Sequence, residues 1–383
     1  MRIAVDAMGL PAFGGAKSSA LGWLAALGRY DRANQYVAFV SRAEECLSCF
    51  QNIEQRVVPV QNRFAARIWA QIQLPRLLAR ERADVLHSMK NLSTFGAPCP
   101  VLVTVNDLSH VLLRNLPRRS GTEYQYPWID NLYWRWIQPQ LLRRAARVIA
   151  ISENTKRDLL RFYRLDAGRV SVIYPSCDER FRRPCLPDQL ERIRLKFSLP
   201  QSLLLYVGGL GVHKNVITLV RAFARIADQV PHGLVLVGGA HHTSSDHGVA
   251  QEIAALGLEG RVWLLGSIPA EDLPSLYHLA DLFLLASLNE GFGLVLLEAM
   301  ACGTPIVAAR SGSVPEVLAD CGLLVDNPLE TQGFAQAIVS LLADPDRLLD
   351  MRAKGLQRSR DFTWQNTAER TMAAYREVVN ADA

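Results

Sequence analysis

No apolar run in the 383 residues approaches the roughly 18–20 that a membrane-spanning helix needs, so no spanning segment is expected. A disulfide framework is missing too: the seven cysteines are odd in number, lack framework spacing and suit a reducing compartment. The one close pair, Cys46-Leu-Ser-Cys49, has no second pair and no nearby His, so no metal or redox centre is expected there. There is no secretory signal, because Met1–Asp6 carries an acid inside its only apolar stretch and reads as a first β-strand. Internal repeats, low-complexity segments and RNA- or DNA-module motifs are also lacking, so nucleic acid is not an expected partner. These absences point to a cytoplasmic protein, peripheral at most on the inner face of a membrane.

What is present is the balance of a soluble globular chain, 49% hydrophobic and 21% charged, long enough for about two domains. Its net charge of +5 is unevenly spread. Residues 1–180 hold 25 Lys/Arg against 15 Asp/Glu, a net +10, whereas the remainder holds 17 against 22, a net −5. A basic half beside an acidic half suits an anionic partner for the first; a phosphorylated acceptor, an anionic membrane surface and a nucleic acid all qualify by charge alone.

Short β-branched runs alternate with helical patterns. Strands are expected at Arg2–Asp6, Tyr36–Val40, Val57–Val60, Val85–His87, Val101–Val105, Val148–Ile151 and Val170–Ile173, then at Leu203–Val207, Leu234–Val237, Val262–Leu264, Leu282–Leu285, Ile306–Ala308 and Leu323–Val325. Apolar runs without in–out alternation indicate strands buried on both faces of a parallel sheet, with helices such as Lys17–Leu27 and Asn215–Ala227 between them. The expected fold class is α/β, doubly wound. Pro175, Pro184 and Pro187 interrupt the rhythm. The expected domains are therefore 1–180 and 181–362, facing each other across a cleft, with a closing helix in 363–383.

The densest signal is Ser287-Leu-Asn-Glu290-Gly291-Phe292-Gly293-Leu294-Val-Leu-Leu-Glu298-Ala-Met-Ala-Cys-Gly303-Thr-Pro305, which follows an expected strand. Gly291 and Gly293 would let the backbone turn sharply and approach a ligand. A helix should start near Gly293 and stop at Gly303, its free N–H groups directed at an anion. Glu290 before that helix and Glu298 within it would touch different parts of one extended ligand. The second signal, Tyr206-Val-Gly208-Gly209-Leu-Gly211-Val-His213-Lys214-Asn215, suits a diphosphate held by backbone N–H groups and a lysine. The dinucleotide fingerprint fails on its sixth position, which is Lys214 when counted from Gly209. Near the amino end, Phe13-Gly14-Gly15-Ala16 forms either a phosphate-approaching turn or an ordinary βα loop.

Together these segments resemble the family 4 retaining glycosyltransferases of GT-B fold, in which two Rossmann-like domains face a central cleft. Glu290 and Glu298 look like that family's E-x7-E pattern. Val5-Asp6 with Gly14-Gly15, Asp178-Glu-Arg-Phe181, Tyr206-Val-Gly-Gly with Lys214-Asn215, Val314-Pro-Glu316-Val and Phe362-Thr-Trp364 are similar to its other landmarks. The resemblance implies transfer of a mannose- or glucose-type hexose from a nucleotide diphosphate sugar to a glycan or lipid-linked acceptor, as in bacterial surface-polysaccharide synthesis. It implies no metal and no cofactor beyond that co-substrate. The implied catalytic residues are Glu290, Lys214, Asn106 and Asp107. The implied donor contacts are Gly14, Gly15, Gly209, His213, Lys214, Glu290, Gly291, Phe292, Gly293, Leu294 and Glu298, with Glu298 on ribose hydroxyls. Two positions depart from the pattern: His213 stands where relatives often carry Arg, and Asn106 where they often carry His. His110 or His87 could stand in for the latter. A nucleotide-sugar-binding regulatory protein that has lost transfer is the alternative these departures suggest.

Two further clusters need a reading. His241 and His242, with His247 nearby, mimic a metal site but fall in a Ser/Gly-rich loop. Tyr124, Tyr126, Trp128, Tyr133, Trp134 and Trp136, followed by Arg143, Arg144 and Arg147, suit either an interfacial helix or the core of the first domain.

Overall fold

The computed structural model describes residues 1–8, 14–60, 63–91, 93–112, 133–239 and 245–382. They divide into two compact units. One comprises the described residues up to Ser176 together with those from Phe362 onward, and the other is built on Cys177–Asp361.

The first unit contains β1 (Arg2–Asp6), β2 (Gln35–Val40), β3 (Ile53–Val57), β4 (Val85–Ser88), β5 (Val101–Val105), β6 (Arg147–Ala150) and β7 (Val170–Val172), ordered 3-2-1-4-5-6-7 and parallel throughout. The second contains β8 (Leu203–Val207), β9 (Gly233–Val237), β10 (Val262–Gly266), β11 (Leu282–Leu285), β12 (Ile306–Ala309) and β13 (Gly322–Val325), also parallel, in the order 10-9-8-11-12-13. Counted within its own unit, the second sheet has the Rossmann order 3-2-1-4-5-6. Both units are Rossmann-like, as the α/β rhythm predicts.

Burial explains why the strands read clearly in the sequence. Every residue of β8, β9, β11 and β12 is buried, so these strands tolerate only apolar side chains. The sheet edge β3 behaves differently. Its sequence Ile-Glu-Gln-Arg-Val keeps one buried residue, and the strand lies at 53–57 rather than at the expected 57–60. An edge strand exposes one side and needs no apolar run, whereas the apolar Val57–Val60 contains Pro59, which has no N–H to donate.

The last helix, Trp364–Asp382, packs on the first unit. Trp23 Nε1 donates to Thr371 Oγ1 at 2.9 Å, and Thr367 Oγ1 donates to the Tyr174 carbonyl at 2.7 Å. A Cβ at Gly22 would lie 2.2 Å from the Trp364 ring, so a side chain there would push this helix away. The buried His87 of β4 reaches the same helix, its Nδ1 2.7 Å from Tyr375 Oη and its Nε2 2.7 Å from Thr104 Oγ1.

Candidate functional site

In a doubly wound sheet, ligands bind beyond the carboxyl ends of the strands where the chain switches direction across the sheet. In the second unit that point lies between β8 and β11, and the loops leaving these two strands carry the two motifs. Backbone and amide bonds tie the loops together. The Leu288 N–H donates to the His213 carbonyl at 2.8 Å, and Asn215 Nδ2 donates to the carbonyls of Ala286 (3.0 Å) and Pro328 (2.6 Å). Lys214 ends a short 3-10 turn, Val212–Lys214, and its Nζ pairs with Glu290 Oε1 at 2.7 Å.

Burial pushes the Glu290 carboxyl up, but Lys214, Ser287 and His213 more than offset it, so its pKa lies below the ordinary Glu value. The group is a carboxylate at neutral pH. A lysine cation beside a carboxylate at this spot can hold the two parts of a phosphorylated sugar: the amine an anionic phosphate, the carboxylate a sugar hydroxyl.

Gly293 takes a left-handed φ of 83° and opens the helix Leu294–Ala301, which directs its first N–H groups toward the loop. Gly303 closes it with φ 73°, as expected. Gly291 does not adopt the left-handed region, so the sharp turn belongs to Gly293 alone. Phe292 is buried, while Gly291 and Leu294 are partly exposed. Gly209 has open space where a Cβ would be, and Tyr206 Oη donates to its carbonyl at 2.6 Å.

A brace unnoticed in the sequence holds Glu290 from behind. Ser313 N–H and Oγ both donate to the Glu290 carbonyl, at 3.0 and 3.1 Å, and Ser311 Oγ donates to the Ser287 carbonyl at 2.6 Å. Between them, a Cβ on Gly312 would lie 2.4 Å from the Glu290 oxygen. The Ser-Gly-Ser turn after a strand was the available signal. Glu298 sits apart from the Lys214–Glu290 pair: one carboxylate oxygen, Oε2, accepts from Tyr277 Oη at 2.8 Å. Burial pushes Glu298 up to about 7, against the opposing effect of the Tyr277 hydroxyl.

The remaining expected residues belong to the first unit. Gly14, with φ 106°, caps the helix that Gly15 begins, while Phe13 lies outside the described residues. Asn106 and Asp107 follow β5, both partly exposed. The Asn106 N–H donates to Asn91 Oδ1 at 2.8 Å, Asn91 Nδ2 donates to the Asp107 carbonyl at 2.8 Å, and Gln138 Nε2 donates to the Asn91 carbonyl at 3.1 Å. This amide relay fixes the backbone of the turn and leaves the Asn106 side chain without a hydrogen bond among the described residues.

Neither histidine considered as a substitute serves there. Burial drives the His87 pKa down to about 3, and both its ring nitrogens are engaged. Burial likewise lowers His110 to about 4, while its ring stacks on Trp134 at 4.4 Å and its Nε2 meets Tyr163 Oη at 3.0 Å. At the carboxyl ends of β1 and β4 lies a buried pair, Lys90 Nζ 3.2 Å from Asp6 Oδ1.

Among the described residues no group of three or more His, Cys, Asp or Glu is placed to hold a metal. Asp344-Pro345-Asp346, an Asp-x-Asp spacing, opens a helix, with Asp344 Oδ1 accepting from the Arg347 N–H at 3.0 Å. His241 and His242 lie outside the described residues, as does the side chain of His247. Cys46 and Cys49 are exposed free thiols.

The aromatic segment is divided in its role. Tyr124, Tyr126 and Trp128 lie outside the described residues. Tyr133 is buried beneath Arg67 (4.6 Å to the ring centroid), whereas Trp136 is exposed. Arg144 covers the Phe95 ring at 5.0 Å, Arg143 donates to the Tyr163 carbonyl at 3.2 Å, and Arg147 pairs with Glu377 at 2.6 Å.

This fold is shared with solved structures. Sucrose-phosphate synthase from Thermosynechococcus elongatus superposes with a TM-score of 0.79 at 22% identity, covering 99% of both chains. Anabaena HepE, solved in complex with UDP-glucose, gives 0.77 at 22% identity, covering 98% of this chain and 100% of that one. The architecture is thus GT-B. Residues 14–181 match the family described as Glycosyltransferase Family 4, and residues 188–358 match Glycosyl transferases group 1. The chain belongs to the family 4 glycosyltransferases of GT-B fold.

Among curated relatives, alpha-maltose-1-phosphate synthase of Mycolicibacterium smegmatis is 34% identical over 63% of this chain and 66% of its own length. O-antigen chain mannosyltransferase B of Escherichia coli is 30% identical over 61% of each. The matched segments therefore span less than two thirds of either relative.

Proposed function

We propose that the chain is a retaining, metal-independent hexosyltransferase that uses a nucleotide diphosphate sugar. The observation that carries this reading is the Lys214–Glu290 pair at the switch point of the second unit, 2.7 Å apart and backed by the start of a helix. In the donor complex, Lys214, the Gly209 and His213 loop and the Gly291–Leu294 backbone hold the diphosphate. Glu290 holds the hexose and Glu298 the ribose. The sugar C1–O bond to phosphate breaks, a new C1–O bond to the acceptor hydroxyl forms on the same face, and the acceptor proton passes to the leaving diphosphate. Stabilisation of the departing charge by Lys214 is the protein's main contribution, and no protein nucleophile is needed.

The names of relatives support the donor class: HepE was solved with UDP and UDP-glucose, and O-antigen chain mannosyltransferase B is named for mannosyl transfer. A glycan or lipid-linked acceptor in surface-polysaccharide synthesis, held by the first unit with Asn106 and Asp107 facing the acceptor, fits the same relatives.

A peripheral contact with an anionic membrane is supported by the helix Arg63–Glu81, where Phe64, Ile68 and Ile72 recur every four residues, all exposed, with exposed Arg76 and Arg80 beyond them. No described helix is long and apolar enough to cross a membrane. Cosedimentation with phosphatidylglycerol vesicles is expected for the wild type and lost in an Ile68→Ser/Ile72→Ser variant.

Purified protein should hydrolyse its donor slowly, and Glu290→Ala should abolish this. Hydrolysis unchanged by the substitution counts against the assignment. The open Asn106 amide, which cannot titrate, favours a second reading, a nucleotide-sugar-binding protein without transfer. It predicts nucleotide affinity by calorimetry with no turnover on any acceptor, and turnover appearing in Asn106→His.

A further inference from the structure

Tyr277 lies on the helix Leu273–Leu279 and is fully buried. Its ring is held edge-on by Phe181 at 5.7 Å and tilted against Phe283 at 5.5 Å, while its carbonyl accepts from Thr304 Oγ1 at 2.7 Å. Ring and backbone are thus fixed by three separate elements, and the hydroxyl can point in one direction only. It donates to Glu298 Oε2 at 2.8 Å. Glu298 itself is only partly buried, and Oε1 has no protein hydrogen bond among the described residues. A carboxylate has two oxygens and about four acceptor positions. Here the protein occupies one oxygen and leaves the other for a ligand.

We infer that Tyr277 is a positioning residue for the donor, fixing the Glu298 carboxylate so that Oε1 is presented to the nucleotide's ribose hydroxyls. The inference rests on the proposed donor site and adds to it a residue that never touches the ligand. Tyr277 also favours the charged form of Glu298. Asp178 pushes the carboxyl up and Arg180 pulls it down, both from the turn that opens the second unit, while the buried thiols of Cys177 and Cys302 lie nearby. With burial holding Glu298 up to about 7, the Tyr277 hydrogen bond is what keeps a useful fraction ionised at neutral pH. Hydrogen bonds from ribose hydroxyls are stronger to that ionised form, so affinity falls as pH drops through neutrality. Without the phenol the fall begins at higher pH.

The test is calorimetry of whichever of UDP, GDP or ADP binds most tightly, beside its 2′,3′-dideoxy analogue, on wild type, Tyr277→Phe, Glu298→Gln and the double variant. Tyr277→Phe keeps the ring and its packing. It is expected to weaken the ribose nucleotide about tenfold, the scale of a hydrogen bond to a charged group. It should leave the dideoxy analogue unchanged and add nothing to Glu298→Gln. Unchanged affinity in Tyr277→Phe, or an equal loss for both nucleotides, overturns the positioning role. Glu298→Gln without effect overturns instead the underlying donor-site reading. Should Tyr277→Phe not fold, the wild type still decides: the phosphate titrates alike in both nucleotides, so between pH 8 and 6 affinity for the ribose nucleotide must fall more steeply than that for the dideoxy analogue, and parallel profiles refute the proposal.

Discussion

Lys214 and Glu290 illustrate how a single residue sets the charge of its neighbour. Burial alone would favour a neutral Glu290, and the lysine leads the partners, Ser287 and His213 among them, that reverse that preference. Removing Lys214 therefore has two consequences: the diphosphate loses its cation, and the carboxylate loses its counter-charge. Lys214→Ala should lower turnover by roughly 10²–10³-fold, the usual cost of deleting one charge-stabilising donor. It should also move the acid limb of the pH–rate profile to higher pH, because the Glu290 pKa rises when its lowering partner goes. A pH–rate series on both proteins checks each expectation.

His87 acts at the same scale on stability. Its folded pKa of about 3 lies below the ordinary 6.5, so the unfolded chain binds the extra proton between those values. The contribution is complete above pH 6.5 and is lost as pH falls toward 3, with a slope of up to about 1.4 kcal/mol per pH unit. Urea unfolding of wild type and His87→Gln from pH 7 to 4 should show this slope only in the wild type. Glu290, Glu298 and Lys214 were legible in the sequence because glycines and helix signals surround them. Tyr277 and Ser313 were not, since each reaches its partner from a separate element and looks like an ordinary core or turn residue.

Among elements, the Ser311–Ser313 turn has the largest leverage for its size. It follows β12 and closes on the loop that follows β11, holding the Glu290 backbone by two hydrogen bonds. Gly312→Ala places a methyl within 2.4 Å of the Glu290 carbonyl in a left-handed conformation (φ 53°), so loop and turn must separate. Donor affinity should fall at least tenfold while circular dichroism stays that of the wild type. A variant binding donor normally would show that the turn is no brace.

Element by element, the central strands of both sheets were readable because burial on both faces permits only apolar residues. The edge strand β3 begins four residues earlier than expected because Glu54, Gln55 and Arg56 give no apolar run. The helix from Val216 begins one residue after Asn215, whose left-handed φ of 54° no periodicity could indicate.

At the level of the whole molecule, two Rossmann-like units share one chain, and the closing helix belongs with the first although it follows the second in sequence. Only the order of strands reveals why the motifs after β8 and β11 come together, for 71 residues separate Asn215 from Ala286, whose carbonyl it holds. Sequence spacing cannot show this, whereas the 3-2-1-4-5-6 order makes β8 and β11 neighbours. The excess of positive charge in residues 1–180 and the exposed Phe64–Ile72 stripe both belong to the first unit, whereas Glu290, Glu298 and Lys214 belong to the second.

The central claim is that a nucleotide diphosphate sugar binds over the β8 and β11 loops. A crystal structure with intact donor tests it most directly. It should show Lys214 Nζ within hydrogen-bonding distance of a phosphate oxygen, Glu290 on the hexose and Glu298 Oε1 on the ribose. Donor density elsewhere, with those three side chains unengaged, would contradict the account.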